Sequence, residues 1–251
     1  MHRALLLLLL LLGNAQAADT VRLTNGEWPP YLGADLPYNG VASRIVAEAF
    51  ALEGIDVQWE FHPWARSLKM AADGQRDGSA VWLPSREREE RFYVSDPVIE
   101  TTYYLFHLKG RAFDWQTAAD LRGFRLAATR GYDYGETLRR AEATGELQIT
   151  YLNSDEQGLR QLLAGRIDLF PLDKVVAFDL LYQHFSSAER QRLSFHPLPL
   201  RSDSLHLLLS REVPGNAERM ARFNHGLAQM RSSGKISRYL LEIHQPLSLG
   251  P

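Results

Sequence analysis

Two periods of apolar and polar positions alternate along the chain. In residues 20–25, Val21 and Leu23 stand between polar neighbours, and Val57, Trp59 and Phe61 do the same in 56–61. Period two marks a strand with one buried face. Between them Val41, Ile45, Val46, Phe50 and Leu52 recur at helical spacing, and Gly54 follows as a stop. Pro63 opens a second helix through Ala72, ending near Gly74, and 79–83 reads as a buried strand. This βαβα order predicts a largely parallel sheet with helices on both faces.

A second α/β set follows the strand-like run 101–108. The pattern predicts strands over 124–128, 147–152 and 167–172, and helices over 134–144, 154–164 and 174–185. Ser154 or Asp155 caps the second of those helices. A further strand over 205–210 leads into a long amphipathic helix over 218–241. No repeat at a fixed period and no Gly/Ser-rich linker interrupts the chain. Two α/β sets joined without a floppy linker predict two lobes, 18–107 plus 203–251 and 108–202, with a cleft between them.

The N-terminus reads as an address. Met1-His2-Arg3 is a short basic start, residues 5–12 are all leucine, and Ala15-Gln16-Ala17 is an A-x-A cleavage site. Those are the parts of a secretory signal peptide, 1–17. Eight leucines are too few for a span of about 20 residues. The chain has no cysteine, so neither a disulfide framework nor a lipidated cysteine at the cleavage site is available. Periplasmic location of an unanchored, monomeric protein is the expectation. Removing the leader takes one arginine from 28 basic residues and leaves 30 acids, a net charge of −3. That balance argues against a nucleic-acid partner, which needs a basic face.

Catalytic motifs are missing. There is no G-x-S-x-G elbow, no P-loop and no G-x-G-x-x-G, and no histidine pair has metal-ligand spacing. The expectation is a binding protein without cofactor, metal or catalytic residues. From composition alone, Arg88 is one charge in a solvated run.

Ser85-Arg86-Glu87-Arg88, followed by Val94-Ser95-Asp96-Pro97, resembles the T-x-x-R and F-S-x-P segments of the family-3 periplasmic solute-binding proteins. Further landmarks keep the family's order. They are Glu27-Trp28-Pro29-Pro30-Tyr31, Gly74 with Asp77, the segment from Leu121 to Leu126, Gly131, Gly165-Arg166-Ile167-Asp168 with Asp173, and Ser233-Gly234-Lys235-Ile236. The resemblance covers essentially all of 20–240. It implies an α/β, type II periplasmic binding protein fold with two crossover strands, and capture of an amino acid or related zwitterion for an ABC permease. The alternatives are a sensory subunit for a membrane receptor and a dehydratase-like enzyme acting on cyclohexadienyl substrates on the same fold.

The resemblance also implies site residues. Arg88 takes the ligand carboxylate and Asp173 its ammonium; a guanidinium offers a rigid fork of donors that suits a carboxylate. Ser85 and backbone N–H groups of Gly131 and Tyr132 complete the hydrogen bonds, and Trp28 and Phe61 stack on the ligand. Asp173 also stands where it would N-cap a helix beginning at Lys174. The chain departs from the family at Val81-Trp82-Leu83-Pro84, which replaces small hydroxyl residues, and at Gly131-Tyr132-Asp133-Tyr134. Trp64 and Arg66 add bulk nearby. These departures predict a more aromatic, more crowded pocket, with Trp82 either in it or in the core.

Overall fold

A computed structural model describes residues 19–244; the leader expected at 1–17 lies outside the described residues. The first set comprises β1 (Asp19–Asn25), α1 (Val41–Ala51), β2 (Ile55–Phe61), α2 (Trp64–Ala72) and β3 (Gly78–Trp82). The short helix α3 (Arg86–Arg91) then leads into β4 (Phe92–Leu108), a strand of 17 residues. The second set comprises β5 (Leu126–Thr129), α4 (Glu136–Ala143), β6 (Ile149–Leu152), α5 (Asp155–Leu163), β7 (Phe170–Asp173), α6 (Lys174–His184), α7 (Ser187–Gln191) and β8 (Leu193–Phe195). The chain returns through β9 (Arg201–Ser210) and ends in α8 (Asn216–Ser232) and α9 (Lys235–His244).

Parallel pairing holds only within each set. β1 lies between β2 and β3, with Leu23 opposite Trp59 and Gly78. β5 pairs with β6 in parallel, and Leu126 bridges to Leu169 just before β7. The long strands β4 and β9 are antiparallel from Phe92↔Ser210 to Tyr103↔Arg201. β9 also borders β3, while β4 runs on to border β7 and β8. The main sheet, in order β2-β1-β3-β9-β4-β7, is therefore mixed and not largely parallel. The reason is the return of the chain: β9 comes back beside β4, and together they carry the backbone from one set to the other.

Two further departures from the sequence pattern have local causes. β4 begins nine residues before the expected 101, because Asp96-Pro97 breaks the alternation; its register against β9 shifts on both sides of Pro97. The helix expected over 218–241 is two helices, since Gly234 (φ 70°) takes the left-handed conformation that ends α8. Apolar spacing survives that break, with Met230, Ile236 and Tyr239 all buried.

The largest core lies where α1 and α8 cover the sheet, around Val21, Leu23, Ile45, Phe50 and Phe223. A second core gathers Leu105, Leu121, Leu126, Leu138 and Leu169 under the second set. Among the described residues no helix is long and apolar enough to cross a membrane.

Candidate ligand-binding cleft

A cleft of about 410 Å³ opens where the ends of β1 and β3, the start of α3, the turn after β5 and the crossing strands meet. Its first wall is built from an irregular strand end. The register of β3 against β9 shifts between Ser79 and Trp82, and Val81 there has φ 67°. A β-branched residue at positive φ is costly, of order 1–3 kcal/mol, and persists only when its surroundings impose it. The bulge turns Trp82 into the cleft, where its indole N–H donates to Ser79 Oγ at 2.7 Å. Ser79 Oγ in turn donates to the Thr24 carbonyl at 2.8 Å, so one buried hydroxyl ties the bulge to β1.

Trp64 stands edge-on to Trp82 at 5.1 Å, with an interplanar angle of 90°. Its position is fixed from two sides. Ser67 Oγ donates to the Asn25 carbonyl (2.8 Å) and Thr24 Oγ1 to the Ser67 carbonyl (2.9 Å), clamping α2 on the end of β1. Gly26 leaves room for the indole itself, since a Cβ there would lie 2.3 Å from the Trp64 ring.

Arg88 completes this wall. Its guanidinium lies 4.9 Å from the Trp82 ring centroid, and Nη1 donates to the Leu83 carbonyl at 2.5 Å. The side chain is half-buried, and burial holds its pKa below the usual arginine value. Among the described residues it has no ion-pair partner.

The facing wall comes from the turn after β5, Arg130 to Asp133, and from β9. Arg201 donates from Nε and Nη2 to both oxygens of Asp203 and from Nη1 to the Asp133 carbonyl, at 2.7 Å. Burial alone would lower the Arg201 pKa, yet Asp203 and Asp133 raise it above the ordinary value. Behind Tyr132, Asp155 is buried and accepts from Thr129 Oγ1 at 2.5 Å. Desolvation pushes its carboxyl up to about 6.

Of the residues singled out in the sequence, Arg88, Trp28, Trp82, Gly131 and Tyr132 line the cleft. Ser85 lines an adjoining depression that shares Arg88, Arg201 and Asp203 with it, and its Oγ caps α3 by accepting the Arg88 N–H. Phe61 and Asp173 do not line the cleft. Phe61 ends β2, an edge strand, and packs against the main core. Asp173 is 1% exposed and N-caps α6, accepting from the N–H groups of Val175 (2.9 Å), Val176 (3.0 Å) and Thr102 (3.1 Å).

Sequence reasoning missed Arg130, Tyr103, Arg201 and Asp203 as cleft residues. Arg130 directly precedes Gly131. The other three sit on β4 and β9, and their arrival depends on how those strands cross.

No family model and no curated protein sequence matches the chain. Solved structures do. One is a histidine kinase sensor domain with similarity to periplasmic binding proteins (TM-score 0.70, 19% identity, 91% of this chain and 97% of that one). Another is an ancestral arginine-binding protein bound to arginine (TM-score 0.69, 16% identity, 89% and 97%). A third is substrate-binding domain 2 of GlnP from Lactococcus lactis in an open conformation (TM-score 0.67, 16% identity, 93% and 97%). The chain has the type II periplasmic binding protein fold. Its structural neighbours are of the family-3 solute-binding kind that its motifs resemble.

Proposed function

We propose that the protein is a periplasmic solute-binding protein that captures a small, amino-acid-sized carboxylate in the cleft and delivers it to an ABC permease. The observation that carries this reading is Arg88: a half-buried guanidinium, 4.9 Å from the Trp82 ring centroid, opening into an aromatic cleft with no ion-pair partner among the described residues. A carboxylate-bearing solute supplies the missing charge. The lobes are 18–107 plus 203–251 and 108–202, of which 18 and 245–251 lie outside the described residues, and closure of the cleft over ligand is favoured by contacts from both. Export follows cleavage after Ala17.

Native mass spectrometry of protein released from the periplasm without refolding tests the reading. The expected result is a bound small carboxylic acid that is lost from Arg88→Ala; a wild-type protein that retains and binds no such solute overturns it. The likeness to a kinase sensor domain supports a second reading, presentation of the same ligand to a membrane receptor. Co-purification from detergent extracts with a permease or with a sensor kinase separates the two.

A further inference from the structure

We infer that the cleft is built for a flat, unsaturated monocarboxylate without an ammonium group, an aryl-alkanoate and not an α-amino acid. This rests on the solute-binding reading and names its ligand class. Three arginines (Arg88, Arg130, Arg201) and two aspartates (Asp133, Asp203) line the cleft, an excess of one positive charge. Both aspartates are engaged by Arg201: Asp203 by two guanidinium nitrogens, Asp133 through its carbonyl and, at 3.3 Å, its carboxylate. Asp133 Oδ1 also accepts the Gly135 N–H at 2.8 Å. Among the described residues Arg88 and Arg130 have no ion-pair partner. Their charge complements an anion and not a neutral zwitterion.

The acids behind the walls are already engaged. An ammonium withdrawn from water must be paired and hydrogen-bonded, or it costs several kcal/mol. Asp173 already meets four donors, including the Tyr31 hydroxyl, and a carboxylate has about four acceptor sites. Asp155 is buried behind Tyr132, outside the cleft lining, and already accepts from the Thr129 hydroxyl.

Trp28, Trp64, Trp82, Tyr103 and Tyr132 all line the space of about 410 Å³. Aromatic rings prefer offset or edge-to-face neighbours at about 4.5–7 Å between centroids. Trp64 and Trp82 already adopt that geometry, and a ligand ring extends it with its carboxylate held at Arg88.

Three probes separate charge from aromaticity: 3-phenylpropanoate, phenylalanine, which adds only the ammonium, and 3-cyclohexylpropanoate, which removes only the aromaticity. Calorimetric titration of the mature chain should give 3-phenylpropanoate an affinity at least about tenfold above phenylalanine, and several-fold above the cyclohexyl acid. Trp82→Leu should lower that affinity about tenfold. Arg130→Ala, at an exposed position that does not threaten the fold, should lower it about fivefold. Phenylalanine binding as tightly as 3-phenylpropanoate, or no binding of either aryl acid, overturns the ligand class. If an α-amino acid instead binds in an Arg88-dependent way, the solute-binding reading stands without this inference; if no solute depends on Arg88, both fall.

Discussion

The hydroxyl of Tyr31 donates to Oδ1 of Asp173 at 3.3 Å, joining residues 142 positions apart. Tyr31 lies in the turn after β1 and is 1% exposed, and Asp173 closes β7 and caps α6. Burial drives the Tyr31 hydroxyl well above the usual tyrosine range, and the Asp173 carboxylate raises it further, so it stays a donor at any working pH. Burial also raises the Asp173 carboxyl, against the lowering effect of its four hydrogen bonds.

The stability cost of breaking this link is graded. Tyr31→Phe removes one hydrogen bond and should cost about 1 kcal/mol. Asp173→Ala removes the helix cap and strands the Thr102 N–H as well, and should cost about 2–4 kcal/mol. Urea unfolding of the three proteins reads both values. An Asp173→Ala protein as stable as wild type would show that the carboxylate is not structural.

Arg88 should behave in the opposite manner, dispensable for stability and required for binding. Truncating one partner of a desolvated charge pair costs about 2–5 kcal/mol of affinity, roughly 30-fold to several-thousand-fold. Arg88→Lys should also weaken binding, because an ammonium cannot combine the guanidinium's contact with the Trp82 ring with a fork to a carboxylate. Arg86→Ala is the control: its side chain is 96% exposed and points into solvent from the same helix. Calorimetry with the solute retained by the wild-type protein, run on all four proteins, checks this. Equal loss in Arg86→Ala and Arg88→Ala would reduce the effect to surface charge.

How much of this was legible in the sequence follows from what each feature depends on. β1, β2, α1 and α6 are local, and their periodicities place them within a residue or two of the observed bounds. The direction of the sheet was not legible, because it depends on β9 returning beside β4 over a separation of about 100 residues. Arg88 could be found because a short motif surrounds it. Arg201 could not: it is the first residue of a strand, and only pairing with Tyr103 brings it to the cleft. Asp173 carries both a motif position and an N-cap position, and the sequence does not rank them. The Val81 bulge left no signal, since nothing in the residue type announces a positive φ.

Asp155 gives stability a pH dependence of known sign. Its carboxyl is pushed up to about 6 in the folded protein from an unfolded value near 3.8. Between those values the folded state holds a proton that the unfolded state has released. The contribution of this group is therefore most favourable below about pH 4, falls as pH rises to about 6, and is flat above. The size is about 2–3 kcal/mol from the shift. Carboxylates with lowered pKa, such as Asp19 and Glu60, pull the other way, so the difference between wild type and Asp155→Asn isolates the effect. Chemical unfolding of both proteins from pH 4 to pH 8 should show wild type losing that much relative to the variant. A pH-independent difference would mean that Asp155 is not held in its protonated form.

Gly226 lies in the middle of α8, where helix propensity and packing make opposite predictions. In an exposed helix interior, Gly→Ala gains about 1 kcal/mol. Here α8 crosses α1 with Phe223 against Phe50 at 4.9 Å, and a Cβ at Gly226 would lie 2.1 Å from the Ala49 carbonyl oxygen. The obstacle is backbone within a helix, so it cannot rotate away as a flexible side chain would. The two helices must separate, and Phe50, Phe223 and Leu227, all 0% exposed, lose contact together. Overpacking of this kind costs about 1–3 kcal/mol, sometimes more, and outweighs the propensity gain. Gly226→Ala should therefore unfold at lower urea with an unchanged dependence on denaturant, the mark of lost stability without a changed unfolded state. Gly145→Ala is not an adequate control, because its φ of 72° penalises any side chain. Ala228→Gly is the better one: position 228 lies on the same helix near the exposed face and should lose about 1 kcal/mol by propensity alone. If Gly226→Ala proves as stable as wild type, α1 and α8 are not packed backbone to backbone at this crossing.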